Sequence, residues 1–159
     1  MTTASENPDA ATRVLRQFRI VFNAVKAHFR QVEREAGVGG AQLWALSVID
    51  RRPGIGVTEL ARELDIHQST ASNLVRGLGE RQLVVARREG ADRRSVALYV
   101  EPAGDAVLRK APMPFTGLLP DALSSLDGLT LGRLEGDLGK LIAQLEADEA
   151  GAKVPLSDL

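Results

Sequence analysis

The chain has 159 residues, 44% hydrophobic and 26% charged, the make-up of one ordinary globular domain with a real core. It contains no cysteine, which excludes a disulfide framework and a thiol sensor, and no apolar run approaches the length needed to cross a bilayer, so a cytoplasmic location without a membrane partner is expected. The formal net charge is −1 but it is segregated: residues 1–50 hold 6 basic and 5 acidic groups, residues 51–110 hold 11 and 8, and residues 111–159 hold 3 and 8, so a polyanion should meet the middle third.

Met1 to Asp9 is polar, lacks the apolar core of a secretion signal, and reads as a flexible arm. From Ala10 to Glu35, Val14, Phe18, Val21, Val25 and Phe29 or Val32 recur at helical spacing, with Leu15 and Phe22 widening the stripe, which predicts one long helix. Gly37, Gly39 and Gly40 end it. A second helix follows from Ala41 to Arg51 with Leu43, Leu46 and Ile49 inward, and Arg52-Pro53-Gly54 breaks it.

Val57 to Leu64 is a short amphipathic helix with Leu60, Ala61 and Leu64 on one face and Thr58 placed to cap its start. After Asp65-Ile66-His67, a helix from Gln68 to about Arg81 sets Ala71, Leu74, Val75 and Leu78 on one stripe. Its other stripe carries Ser69, Ser72, Asn73 and Arg76, with Gln68 and Thr70 in the first turn, groups suited to phosphates and base edges. Two β-rich runs then flank a polar Gly-bearing loop: Leu83 to Arg88, Glu89 to Arg94, and Ser95 to Val100, in which Val96, Leu98 and Val100 alternate with Ala97 and Tyr99. A helix, a turn, a helix and a hairpin whose tip carries Arg87, Arg88, Asp92, Arg93 and Arg94 make a winged helix. On pattern alone, the same residues also fit a helical pair and hairpin in an unrelated α+β domain, with the arginines as a solvated face.

The stretch HQSTASNLVRGLGERQLVVARRE followed by GADRRSVALYVEPAG resembles the MarR family of winged-helix transcription regulators. The most specific part is the Asp-x-Arg of the wing, Asp92 and Arg94 with Arg93 between them, closed by Pro102-Ala103-Gly104. The resemblance follows helix order over essentially the whole chain. It implies a mainly α fold with a small β-hairpin wing, a homodimer built by the terminal helices, double-stranded DNA as partner, and a small aromatic or amphipathic effector bound between the dimer layer and the reading domain. It also implies a short third strand at Ile55-Gly56-Val57. The family commonly has a capping Thr where this chain has Glu101, which weakens the boundary of the next helix.

Past the wing, Pro102 suits a first helical position, Pro112 and Pro114 must kink or stop the helix begun at Ala103, and Phe115 to Leu126 resumes it. From Asp127 the last helix carries Leu131, Leu134, Leu138, Leu141 and Leu145 at spacings of 3, 4, 3 and 4, a coiled-coil seam. That seam closes either on the first helix of the same chain or on a second copy; sharing a helical layer between two copies is the more economical for so short a chain. Gly128, Gly132, Gly136 and Gly139 lie in this helix, each costing up to about 1 kcal/mol relative to Ala. They read as points of close helix approach or, equally, as the mark of a loosened helix. Residues 150–159 read as a flexible tail.

His28 and His67 are far apart, and no carboxylate cluster has metal-ligand spacing, so neither a metal nor a cofactor is expected. No nucleophile or phosphate-loop motif supports an enzyme. Trp44, the one Trp, lies off the inward stripe of its helix. Either it packs between that helix and the dimer layer or, as the resemblance implies, it lines an effector pocket with Phe18, Phe22, His28 and Phe115. The domain plan is an arm (1–9), a helical dimerisation region (10–36 and 103–149), a winged helix-turn-helix domain (41–101) and a tail (150–159). The function expected is a homodimeric, effector-released repressor on a pseudo-palindromic operator. The alternative is a winged-helix protein-interaction module without DNA binding.

Overall fold

The computed structural model describes residues 9–91 and 94–159, so most of the expected N-terminal arm, together with Asp92 and Arg93, lies outside the described residues. The element order is α1 (Ala10–Ala36), α2 (Gly40–Arg51), α3 (Val57–Leu64), α4 (Gln68–Glu80), β1 (Val84–Arg88), β2 (Val96–Val100), α5 (Pro102–Lys110), α6 (Leu118–Ser124) and α7 (Gly128–Gln144). Two single 3-10 turns, Glu149–Lys153 and Leu156–Asp158, follow.

The core is built around α2. Leu43, Leu46 and Ile49 are fully buried, as their spacing predicts, but Ala41, Ala45, Ser47 and Val48 are buried too. The helix is enclosed because α1, α3, α4, α5 and β2 all pack on it. Ser47, its one buried polar side chain, is satisfied by donating its hydroxyl hydrogen to the Trp44 carbonyl at 2.7 Å.

On α3, Leu60, Ala61 and Leu64 are buried as expected. The helix starts two residues earlier than a Thr58 cap requires: Gly56 is the N-cap, and Thr58 sits exposed within the first turn. Asp65 turns the chain in the left-handed region (φ 52°), a conformation Asp tolerates, and Ile66 is buried beneath the turn. β1 and β2 pair antiparallel in the register Val84 to Val100 through Arg88 to Val96, with Leu98 buried. The implied third strand is a single bridge, in which Gly54 N–H donates to the Leu98 carbonyl at 2.8 Å and Leu98 N–H to the Ile55 carbonyl at 3.0 Å.

Glu101 is the N-cap of α5 but its side chain makes no capping bond, and Pro102 stands in the first helical turn. Two positions on, a Cβ at Gly104 would collide with the Leu83 carbonyl oxygen, which is itself held by the Glu101 N–H at 2.9 Å. Helix propensity alone would favour Gly104→Ala by about 1 kcal/mol. Overpacking against backbone that cannot rotate away costs about 1–3 kcal/mol, so the net expectation is destabilisation, seen as a fall of several degrees in Tm. A Tm at or above that of the parent would contradict this packing.

The helix after the Pro112 and Pro114 break resumes at Leu118 rather than Phe115, because Gly117 takes φ 101° and directs the chain into α6. Asp127 caps α7: its carboxylate accepts from the Thr130 N–H at 2.9 Å and the Thr130 hydroxyl at 2.7 Å, and these bonds hold the carboxyl below its ordinary pKa.

α1 has 27 residues, about 40 Å at 1.5 Å per residue, yet its only buried residues are Val25, His28 and Val32, towards its C-terminal end. Val14, Leu15, Ile20, Val21 and Phe22 are exposed. No residue of α7 is buried: Leu131 is half-buried and Leu134, Leu138, Leu141 and Leu145 are exposed, so the seam does not close on α1 of the same chain. Cβ atoms at Gly128, Gly132, Gly136 and Gly139 would meet open space, so within one chain no neighbour explains them. Among the described residues, no helix is long and apolar enough to cross a membrane.

Candidate nucleic-acid interface

Ala71, Leu74 and Leu78 are the buried residues of α4, and Val75 packs half-buried against the same core. This docking leaves Gln68, Ser69, Asn73 and Arg76 exposed, while Thr70 and Ser72 are half-buried at the margin. The C-terminal end of α4 is fastened to the α1–α2 turn by residues that sequence pattern does not single out. Arg81 Nη1 donates to the Gly37 carbonyl at 2.6 Å, a cation at the C-terminus of α1 where the helix dipole favours one. Gln42 accepts from the Gly39 N–H at 3.2 Å, and its amide nitrogen lies so near Gly77 that a Cβ there would come within 2.9 Å.

Arg87 and Arg88 are exposed at the end of β1, Gly90 turns the tip with φ 86°, and Arg94 is exposed on the return. Tyr99 and Glu89 join the wing face without any sequence signal that marks them. Arg87 opposes Ala97 and Val85 opposes Tyr99, so Arg87 and Tyr99 are diagonal neighbours on one face. The Arg87 guanidinium lies 5.1 Å from the Tyr99 ring centroid, and the Tyr99 hydroxyl donates to Glu89 at 2.7 Å. That hydrogen bond to a carboxylate, which favours the neutral phenol, pushes the Tyr99 pKa above its ordinary value. Only the strand register brings the pair together. Arg52, by contrast, is engaged by Glu59 at 2.8 Å and Glu63 at 2.9 Å and serves the α2–α3 junction.

An apolar cleft of about 210 Å³ lies between α1, α2, the turn after α3, α6 and the C-terminal turns. Of the residues expected in an effector pocket, Trp44 lines it. Phe22 lines an adjoining, wider cavity of about 490 Å³ and stacks on Phe18, with ring centroids 6.1 Å apart. His28 is buried in α1 and Phe115 packs against the core; neither they nor Phe18 line these two cavities. Val25, Phe29 and Leu119 line both cavities, and helical spacing alone marks Val25 and Phe29 only as members of a core stripe. Among the described residues no group of three or more His, Asp or Glu is placed to hold a metal ion.

The sequence profile of the MarR family matches residues 36–95. A protein proposed as the transcriptional regulatory protein for the hcr operon of Thauera aromatica is 30% identical over 122 residues, 74% of this chain and 74% of that relative. Among solved structures, a MepR-like protein complexed with pseudoligands aligns with TM-score 0.58 at 19% identity, over 85% of this chain and 92% of its own. The S. aureus MepR–DNA complex aligns with TM-score 0.57 at 17% identity, over 87% and 99%. The M. tuberculosis regulator MOSR in complex with DNA aligns with TM-score 0.52 at 21% identity, over 88% and 100%. At these identities the structural likeness establishes a shared winged-helix fold.

Proposed function

The chain belongs to the MarR family of transcription regulators, DNA-binding proteins rather than enzymes, and from that premise we propose that it acts as a homodimeric repressor that binds a pseudo-palindromic operator and is released by a small effector. The observation that carries the DNA-reading half is the exposed polar face of α4 beside an arginine-bearing wing, all within the basic third of the sequence. An α4 evolved for binding another protein would present an apolar stripe there; instead the exposed apolar side chains are concentrated on α1, α6 and α7. Gln68, Ser69, Asn73 and Arg76 are assigned to the major groove, with Thr70 and Ser72 at its margin, while Arg87, Arg88 and Arg94 follow the backbone and minor groove from the wing. The dimer reading rests on the unpaired seam of α7 and the exposed half of α1, and the effector reading on the Trp44 cleft between that layer and α2.

Purified protein titrated against operator and random duplexes tests this. Operator should be bound by far the more tightly. Arg94→Ala should weaken binding and lower the slope of log affinity against log salt by about one unit for each phosphate that is no longer neutralised. Equal affinity for both duplexes would remove the sequence-reading assignment, and an unchanged slope would remove Arg94 from the interface.

A further inference from the structure

The C-terminal segment, expected to be a free tail, lies folded against the body of the chain. Val154, Pro155, Leu156 and Ser157 line the cleft beside Trp44, and the last turn packs on α2. We propose that the surface around Trp44 is a groove for a short apolar peptide, that the chain's own segment 149–159 is docked in it as a strap that walls in the remaining cleft, and that an effector enters by displacing this strap. The last clause rests on the effector reading above; the occupancy does not.

The match is chemical as well as steric. Gly39 caps α2 without a side chain, so the first N–H groups of that helix need other acceptors. Ser157 Oγ, 116 positions away, accepts from the Ala41 N–H at 3.2 Å, acting as a cap supplied from the far end of the chain. Gly40 makes room for it, since a Cβ there would already stand 3.3 Å from Ser157 Cβ and 2.6 Å from the Phe29 ring. At the other end of the strap, the Ala150 carbonyl faces His67 Nε2 at 3.4 Å. His67 is the N-cap of α4, so the strap spans from the cleft to the start of the DNA-reading helix. Asp148 fixes the entry to the strap by accepting from the Ala150 N–H at 2.9 Å. None of residues 149–159 belongs to the buried core, and Val154 and Leu156 remain 38% and 41% exposed, so the segment can leave without opening the core.

The test uses the 159-residue chain carrying Val154→Asp and Leu156→Asp, with Ser157→Ala as a milder second variant, and circular dichroism to verify folding. Trp44, the single tryptophan, reports the cleft, and 1-anilinonaphthalene-8-sulfonate is the probe. If the strap is docked in the groove about nine-tenths of the time or more, its release should tighten dye binding about tenfold or more. Trp44 emission should shift to the red, Ser157→Ala should move both readings less in the same direction, and a synthetic peptide of residues 149–159 should expel dye from the double variant. Equal dye affinity in parent and both variants, or a peptide that does not compete, would overturn the proposal. Operator binding is measured alongside; if neither parent nor variant binds DNA, the regulatory reading fails while the dye and peptide readings still decide the strap.

Discussion

Replacing Leu134 and Leu138 together by Asp should turn the protein into a monomer and lower its operator affinity about 100- to 10,000-fold, the avidity that disappears when two linked half-site interactions become separate events. Both side chains are exposed on a single chain and neither belongs to its core, so the fold of the monomer should survive. A carboxylate placed in a leucine seam must be desolvated for two copies to join, and an unpaired buried charge costs several kcal/mol. Ultracentrifugation and operator titration read the two effects. A variant that stays dimeric and binds operator like the parent would move the interface away from α7.

Asn73→Ala and Arg76→Ala should each weaken operator binding about 5- to 150-fold, corresponding to about 1–3 kcal/mol for removal of a bidentate bond to a base, and leave random duplex much less affected. Both side chains are exposed mid-helix on α4, opposite Ala71, Leu74 and Leu78, which anchor the helix. Phosphate binding alone would give another pattern: similar losses on every duplex and a lower salt slope. Equal weakening on operator and random DNA would demote these residues from reading to positioning.

What is legible in the sequence is local. The stripe of α4 lies within one element and survives folding, which is why Leu74 and Leu78 are buried where their spacing puts them; in β2 the alternation survives only at Leu98, since Ala97 and Tyr99 are half-buried like Val96 and Val100. The environment of α2 is not legible: a single inward stripe is evident, but Ala45 and Val48 are buried because other elements cover the remaining faces. Helix starts escape where a glycine serves as the cap, as Gly56 does ahead of Thr58. The cleft is half legible. Trp44 announces itself as the odd residue of its helix, whereas Val154 to Ser157 reach it from more than 100 positions away, an approach that no periodicity encodes.

Footprinting of the purified protein on operator DNA separates a two-fold reader from a single-site binder. Two protected segments of inverted symmetry are expected, with centres one helical turn apart, about 34–36 Å, because a two-fold dimer presents two copies of α4. Protection of a single segment without inverted symmetry, saturated by one chain per site, would contradict it.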